Sequence, residues 1–305
     1  MSSKHNSEYR LGTMYAIGAY AFWGFVPIYW KWFHHIPSAE VLSQRIIWAF
    51  AFYITLVYYR EKDVFSWVKL FKAKETGYYI AIASFLLACN WMIYIWAVNH
   101  DHVVDASLGY FITPIVNVLM GKLLLGESLT KLKKISVILA TAGVTLLILH
   151  SGQFPWIASL IAFTFSIYGF TRKRIIANVF HISAAEAFVL LVPATIGAIY
   201  YRSSAIETLT PSRLTLFMSA GIVTALPLLM FSTAAQRLPL SALGFLQFIA
   251  PTIQFLLATI IYDEPISSNS LMSFTFIWLG CGIFAWDAIK QNKMHHDPSA
   301  VVTLK

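Results

Sequence analysis

Long apolar runs separated by short polar stretches set the pattern of this chain. Runs of about 20 apolar residues, the length a helix needs to cross ~30 Å of hydrocarbon, recur ten times. Their approximate limits are 12–33, 38–59, 77–98, 104–125, 131–149, 154–171, 182–201, 213–234, 240–262 and 269–289. Within the fourth run, Tyr110, Thr113, Pro114, Asn117 and Gly121 keep a helical spacing, so polar or small groups share one stripe. Gly244, Gln247, Pro251, Gln254 and Ala258 repeat that stripe in the ninth. The step from Pro114 to Pro251 also carries Tyr110 to Gln247, Asn117 to Gln254 and Glu127 to Glu264. Neither proline can donate to the carbonyl four residues back, which predicts a loosened turn with a freed acceptor in each helix. Lipid cannot satisfy such a group, so it must face protein or a wet cavity. Membrane helices tolerate proline in general; the matched pair favours hinges at Pro114 and Pro251.

Other echoes follow in order. Ala21 to Lys31 resembles Ala162 to Arg172, Ser38-Ala39-Glu40 resembles Ser183-Ala184-Ala185-Glu186, and Gly143 matches Gly280. Five spans per copy force the second copy to enter the membrane upside down. The expected fold is an all-α membrane protein of ten transmembrane helices in two inverted five-helix repeats, the arrangement that puts a binding site near the midplane. The expected organisation is a cytoplasmic N-terminus over 1–11, repeats over 12–150 and 151–290, and a disordered cytoplasmic tail over 291–305.

Composition agrees. The chain of 305 residues is 58% hydrophobic and 12% charged, with a mean hydropathy of +0.66. The formal charge of +8 does not indicate nucleic acid, because the basic residues sit between apolar runs rather than in a polar segment with stacking aromatics. They read as topology signals: Lys4, Arg10, the Arg60–Lys74 loop, Lys131–Lys134, Arg172–Arg174, Arg237 and Lys290–Lys305 share one side, against Arg202 and Arg213 on the other. That places both termini in the cytoplasm. The first run is too long for a signal-peptide core and is expected to remain as a helix. Val64, Phe65, Trp67, Val68 and Phe71 among lysines predict a segment lying along the inner surface. Cys89 and Cys281 lie inside apolar runs, so neither a disulfide nor a thiolate metal site is indicated.

Arg45 is the most costly residue to bury, at about 2.5 kcal/mol or more unless paired or hydrated. It could meet an anionic or strongly polar substrate group, form an outer gate with Glu40, or make a structural ion pair. Trp48, one turn on, could cover the guanidinium. Asn90, Trp91 and Tyr94 at the centre of the third run, with Trp23 in the first, could orient an amphipathic molecule in a cavity. The plainer reading of Asn90 is an interhelical hydrogen bond worth about 0.6 kcal/mol. Most other aromatics, Trp30 and Trp67 included, read as packing or belts. Glu127 and Glu264 end their spans at opposite faces, where capping the following helix is favoured over proton coupling. His34, His35, His100, His102 and His150 lack a carboxylate or cysteine at ligand spacing, so no metal site is assigned. Ser128 and Lys131 match the letters of a penicillin-binding nucleophile without its companion motifs. No phosphate loop or zinc-protease helix occurs, so no enzyme and no cofactor is expected.

FWGFVPIYWK (Phe22 to Lys31), AEVLSQRIIW (Ala39 to Trp48), NWMIYIWAVN (Asn90 to Asn99), SLGYFITP (Ser107 to Pro114) and LGFLQFIAPT (Leu243 to Thr252) resemble the RarD group of the EamA family, in the drug/metabolite transporter superfamily. The resemblance runs from about Gly12 to Asp287. It implies alternating access, a bacterial inner-membrane location and export of small organic molecules, with a usual label that refers to chloramphenicol. Such sequences often carry tyrosine where this one has Phe248.

The expected function is therefore a secondary transporter of amphipathic metabolites or drugs in the lipid bilayer. Its substrate residues are expected to be Trp23, Arg45, Asn90, Trp91, Tyr94, Tyr110, Asn117, Tyr168 and Gln247, with Glu40, Pro114 and Pro251 as gate or hinge. Coupling to protons or a counter-substrate is left open. The alternative readings are a non-coupled channel or lipid-scrambling protein, and a membrane-embedded regulatory partner.

Overall fold

The computed structural model describes residues 2–33, 36–100, 102–151, 155–200, 211–261 and 268–296. Among these the chain forms eleven α-helices and no strand. They are α1 (Ser2–Trp30), α2 (Ser38–Glu61), α3 (Lys74–Asn99), α4 (Val103–Leu124), α5 (Lys131–Ser151), α6 (Trp156–Arg174), α7 (Val179–Tyr200), α8 (Pro211–Ala235), α9 (Leu240–Gln247), α10 (Ile249–Leu256) and α11 (Ser268–His296). Residues 297–305, most of the expected tail, and Glu264 lie outside the described residues.

Nine segments among the described residues are long and apolar enough to cross a membrane, with Leu240–Ile261 counted as one. α6, the sixth expected span, is not among them, because Arg172, Lys173 and Arg174 close it. Within a bilayer a helix satisfies its own backbone, and buried residues concentrate on the faces that meet other helices.

α3 lies against α6 as α8 lies against α1, and α4 lies against α6 as α9 and α10 lie against α1. α2 packs on α7, α4 on α9, and α5 on α11. The last pair approaches through two glycines. A Cβ on Gly143 would meet the Ser273 carbonyl oxygen at 2.6 Å, and one on Gly280 would meet the Ser136 carbonyl oxygen at 2.8 Å.

The two prolines behave differently. α4 continues through Pro114, with Thr113 Oγ1 donating to the Gly109 carbonyl at 2.6 Å. The ninth span is interrupted at Phe248 between α9 and α10, and ends in a π-turn over Leu257–Ile261. α4 is packed tightly at Pro114: Gly244 of α9 presses on it so closely that a Cβ there would sit 2.7 Å from the Pro114 oxygen.

Several cross-links gather on the face expected to be cytoplasmic. Arg237 Nε meets Glu8 Oε2 at 2.9 Å, His181 Nε2 meets Glu61 Oε1 at 2.7 Å, and Thr130 Oγ1 donates to Asp287 Oδ2 at 3.0 Å. The Arg60–Lys74 loop forms a 3-10 turn over Ser66–Lys72. Phe65 and Phe71 are exposed there, while Trp67 is buried between Phe50 and Phe188.

Glu127 does cap a helix, though not the one that follows it. Its Oε1 accepts from the Leu240 N–H at 2.6 Å and its Oε2 from the Ser241 N–H at 2.9 Å, so it closes the N-terminus of α9. A Cβ on Gly121 would stand 2.6 Å from that carboxylate, so the small residue makes the room. Two orphan amides and the positive end of the helix are satisfied together. Glu127→Ala is expected to lower stability by about 1–2 kcal/mol. Thermal unfolding in detergent, with amide exchange at Leu240 and Ser241 accelerated, is the measurement.

Candidate functional site

The largest fully buried side chain among the described residues is one that the charge pattern assigned to a loop. Arg172, in the last turn of α6, is 1% exposed. Its Nη1 lies 3.2 Å from Glu186 Oε1 on α7, its Nη2 donates to Ser183 Oγ at 2.8 Å, and its Nε donates to Ser232 Oγ of α8 at 2.9 Å. The Tyr168 hydroxyl donates to Glu186 Oε2 at 3.4 Å. Arg172 therefore neutralises a buried carboxylate rather than marking the cytoplasmic side. The sequence held a signal for this: the internal echo aligns Lys31 with Arg172 and Glu40 with Glu186, a base near the end of one apolar run and an acid early in the next in both halves.

Beside this cluster lies a cavity of about 20 Å³, room for roughly one water. Its walls come from α2 (Tyr53), α3 (Trp91), α6 (Tyr168), α7 (Ser183, Glu186) and α8 (Thr224). The Thr224 hydroxyl is buried without a hydrogen-bond partner. Tyr53 donates to the Ala225 carbonyl at 3.3 Å. An aromatic layer closes one side: Trp23 packs on Tyr20, Phe165 and Phe231, and Tyr168 stacks on Phe231 with centroids 6.0 Å apart. Tyr168 and Trp91 thus border the cavity, and Trp23 supports it from behind.

Trp91 also belongs to a second group. The Arg45 guanidinium carbon lies 4.5 Å from its ring centroid and 5.3 Å from that of Trp30. Trp48 does not cover Arg45; its backbone packs on Gly221 instead. Trp30, set aside from the sequence as packing, takes that role because α1 returns its C-terminal end to α2. Tyr94 and Tyr110 stand near Arg45, their rings 6.1 Å apart. Glu40 is fully buried, and no carboxylate among the described residues bonds to Arg45.

The remaining amides link helices. Asn90 Nδ2 donates to the Ile161 carbonyl and to Thr164 Oγ1, both at 2.9 Å, tying α3 to α6. Asn117 Nδ2 donates to Gln247 Oε1 at 3.0 Å, tying α4 to α9, and leaves its own Oδ1 buried without a partner. The Asn90 amide takes the interhelical form, and Asn117 and Gln247 meet each other. Pro114 lies where α4 packs on α9, and Pro251 lies on α10, which packs on α1. Among the histidines, His100 and His102 stack on Trp96, while His34 and His35 lie outside the described residues.

The arrangement binds and encloses polar groups between the two halves of the chain.

Comparison with known proteins supplies the family. The EamA-like transporter family model matches residues 10–149. Protein RarD of Escherichia coli (strain K12) is 39% identical, over 92% of this chain and 95% of its own length. The uncharacterized transporter YojE of Bacillus subtilis (strain 168) is 36% identical over 94% of this chain and 98% of its own. A solved crystal structure superposes with a TM-score of 0.67 at 16% identity, covering 89% of this chain and 96% of the other, which bears on fold alone. With several apolar helices long enough to cross a bilayer and relatives named as transporters over nearly their whole lengths, this multi-pass membrane protein is no enzyme: it belongs to the RarD group of the EamA transporter family.

Proposed function

We propose that the chain is a secondary transporter that exports small amphipathic organic molecules across the bacterial inner membrane by alternating access, with both termini cytoplasmic. The observation that carries this reading is the cavity at the Arg172–Glu186 cluster, walled by α2 and α3 from one half and by α6, α7 and α8 from the other. A space between two halves, here walled mostly by apolar side chains with Glu186, Ser183 and Thr224 among them, opens to alternate faces when the halves rock. Two inverted five-helix repeats, with α6 as the sixth of ten spans, are supported by the exchange of packing partners between halves and by the reciprocal Gly143 and Gly280 contacts. The cytoplasmic placement of both ends is supported by the loop charges and by the Glu8–Arg237 pair on the same face as His181–Glu61.

A relative from Pseudomonas aeruginosa, 25% identical over 92% of this chain, is named chloramphenicol-sensitive protein RarD, so an amphenicol opens the panel of substrates. The test is uptake of labelled compounds into proteoliposomes holding the full chain, with and without unlabelled compound inside. Alternating access predicts that internal compound accelerates uptake by exchange. Flux indifferent to internal compound would favour the channel reading, and flux of labelled lipid the scrambling reading. Imposed proton gradients in the same vesicles report coupling.

A further inference from the structure

The two deep arginines differ in chemistry. Arg172 directs its N–H groups at Glu186, Ser183 and Ser232. Arg45 directs none at an oxygen among the described residues: its Nε is sealed from solvent without a hydrogen-bond partner, and the rings of Trp91 and Trp30 are its neighbours at 4.5 and 5.3 Å. An aromatic face attracts the positive charge but does not accept five directed N–H groups. A guanidinium inside a membrane-spanning segment whose N–H groups meet no oxygen calls for pairing.

The surroundings show what would pair with it. Arg45, Trp30, Trp91 and Tyr110 each keep some accessible surface, and Tyr94 is 37% exposed, so the group is not sealed within the bundle. The guanidinium fork matches the two oxygens of a carboxylate in a bidentate bond. Two indoles and two phenols form the walls around it, a surface for flat carbon skeletons.

We propose that Arg45, set between Trp30 and Trp91 and beside Tyr94 and Tyr110, is the docking point for the carboxylate of an aromatic organic acid. This rests on the transporter reading and narrows its substrate class from amphipathic molecules to amphipathic anions. An anion leaving a cell that is negative inside moves with the membrane potential, so its export is electrogenic.

The test uses the full-length protein in nanodiscs, with indole-3-acetate and its neutral amide, indole-3-acetamide, as probes. Equilibrium dialysis is expected to show the acid binding about tenfold or more tightly than the amide, since a charge-assisted bidentate bond separates them. Arg45→Gln is expected to erase that preference while retaining amide binding, and Arg45→Lys to restore part of it. Equal binding of acid and amide, binding of neither, or an acid preference that survives Arg45→Gln would overturn the proposal. The acid-against-amide comparison in the unsubstituted protein decides even if Arg45→Gln does not fold. Flux of labelled indole-3-acetate and of an amphenicol in vesicles from the same preparation separates the two readings. Flux without acid preference leaves transport standing and removes the anion site; acid preference without flux does the reverse.

Discussion

Arg172→Ala is expected to destabilise the folded chain by about 3–5 kcal/mol, the largest loss from any single truncation in the bundle. The substitution leaves Glu186 as a lone buried carboxylate at 4% exposure, with the weak Tyr168 hydroxyl contact, and strips Ser183 and Ser232 of their donor. The loss comes from stranding one charge and not from the worth of the pair itself. Arg172→Met combined with Glu186→Leu should therefore recover most of the loss, since apolar side chains of similar volume remove both charges at once. Circular dichroism during thermal unfolding in one detergent measures all three proteins. A double variant as unstable as Arg172→Ala would show that the pair contributes net stability. If the double variant folds but its proteoliposomes carry no flux, the pair serves transport rather than folding.

The second large effect belongs to the α5–α11 contact. Gly143→Ala and Gly280→Ala should each cost about 1–3 kcal/mol, because the added methyl would meet backbone oxygen and not a side chain that can turn away. Gly282, two residues along the same helix, is the control. Nothing lies within 4 Å of its missing Cβ, so Gly282→Ala should be neutral or raise stability by about 0.5–1 kcal/mol through helix propensity. Denaturant titration of the three variants tests this. Equal effects at all three positions would mean that α5 and α11 can separate at little cost.

The sequence displayed the helices because a bilayer imposes one length and one composition on each. α6 was legible as a run over 154–171, but its basic end reads as a loop although Arg172 turns inward. Charge counting treats every arginine between runs alike, and only the position of Glu186 on a neighbouring helix separates a buried base from a loop base. The polar stripe on α4 and α9 was legible as a face, but not as a face whose members meet each other. Asn117 and Gln247 satisfy one another because α4 and α9 cross there, a relation between distant segments that helical spacing does not encode. Trp30 was set aside for a similar reason: a tryptophan near a span end resembles a belt residue until the neighbouring Arg45 is brought under it. Arg45 itself needed no tertiary knowledge, since a charge within an apolar run is conspicuous by cost alone.

The interruption at Phe248 and the π-turn over Leu257–Ile261 leave α10 as an eight-residue rod with a joint at each end. Pro251 supplies no N–H to the Gln247 carbonyl, so the upper joint begins with one rung of its ladder missing. Tilting such a rod breaks few bonds that the resting chain possesses. α9, held by Glu127 at its first turn, stays anchored meanwhile. We propose that the ninth span is the movable one, with α9 as its fixed end and α4 running on as one helix through Pro114, so that rocking of the bundle should register first as a change of angle between α9 and α10.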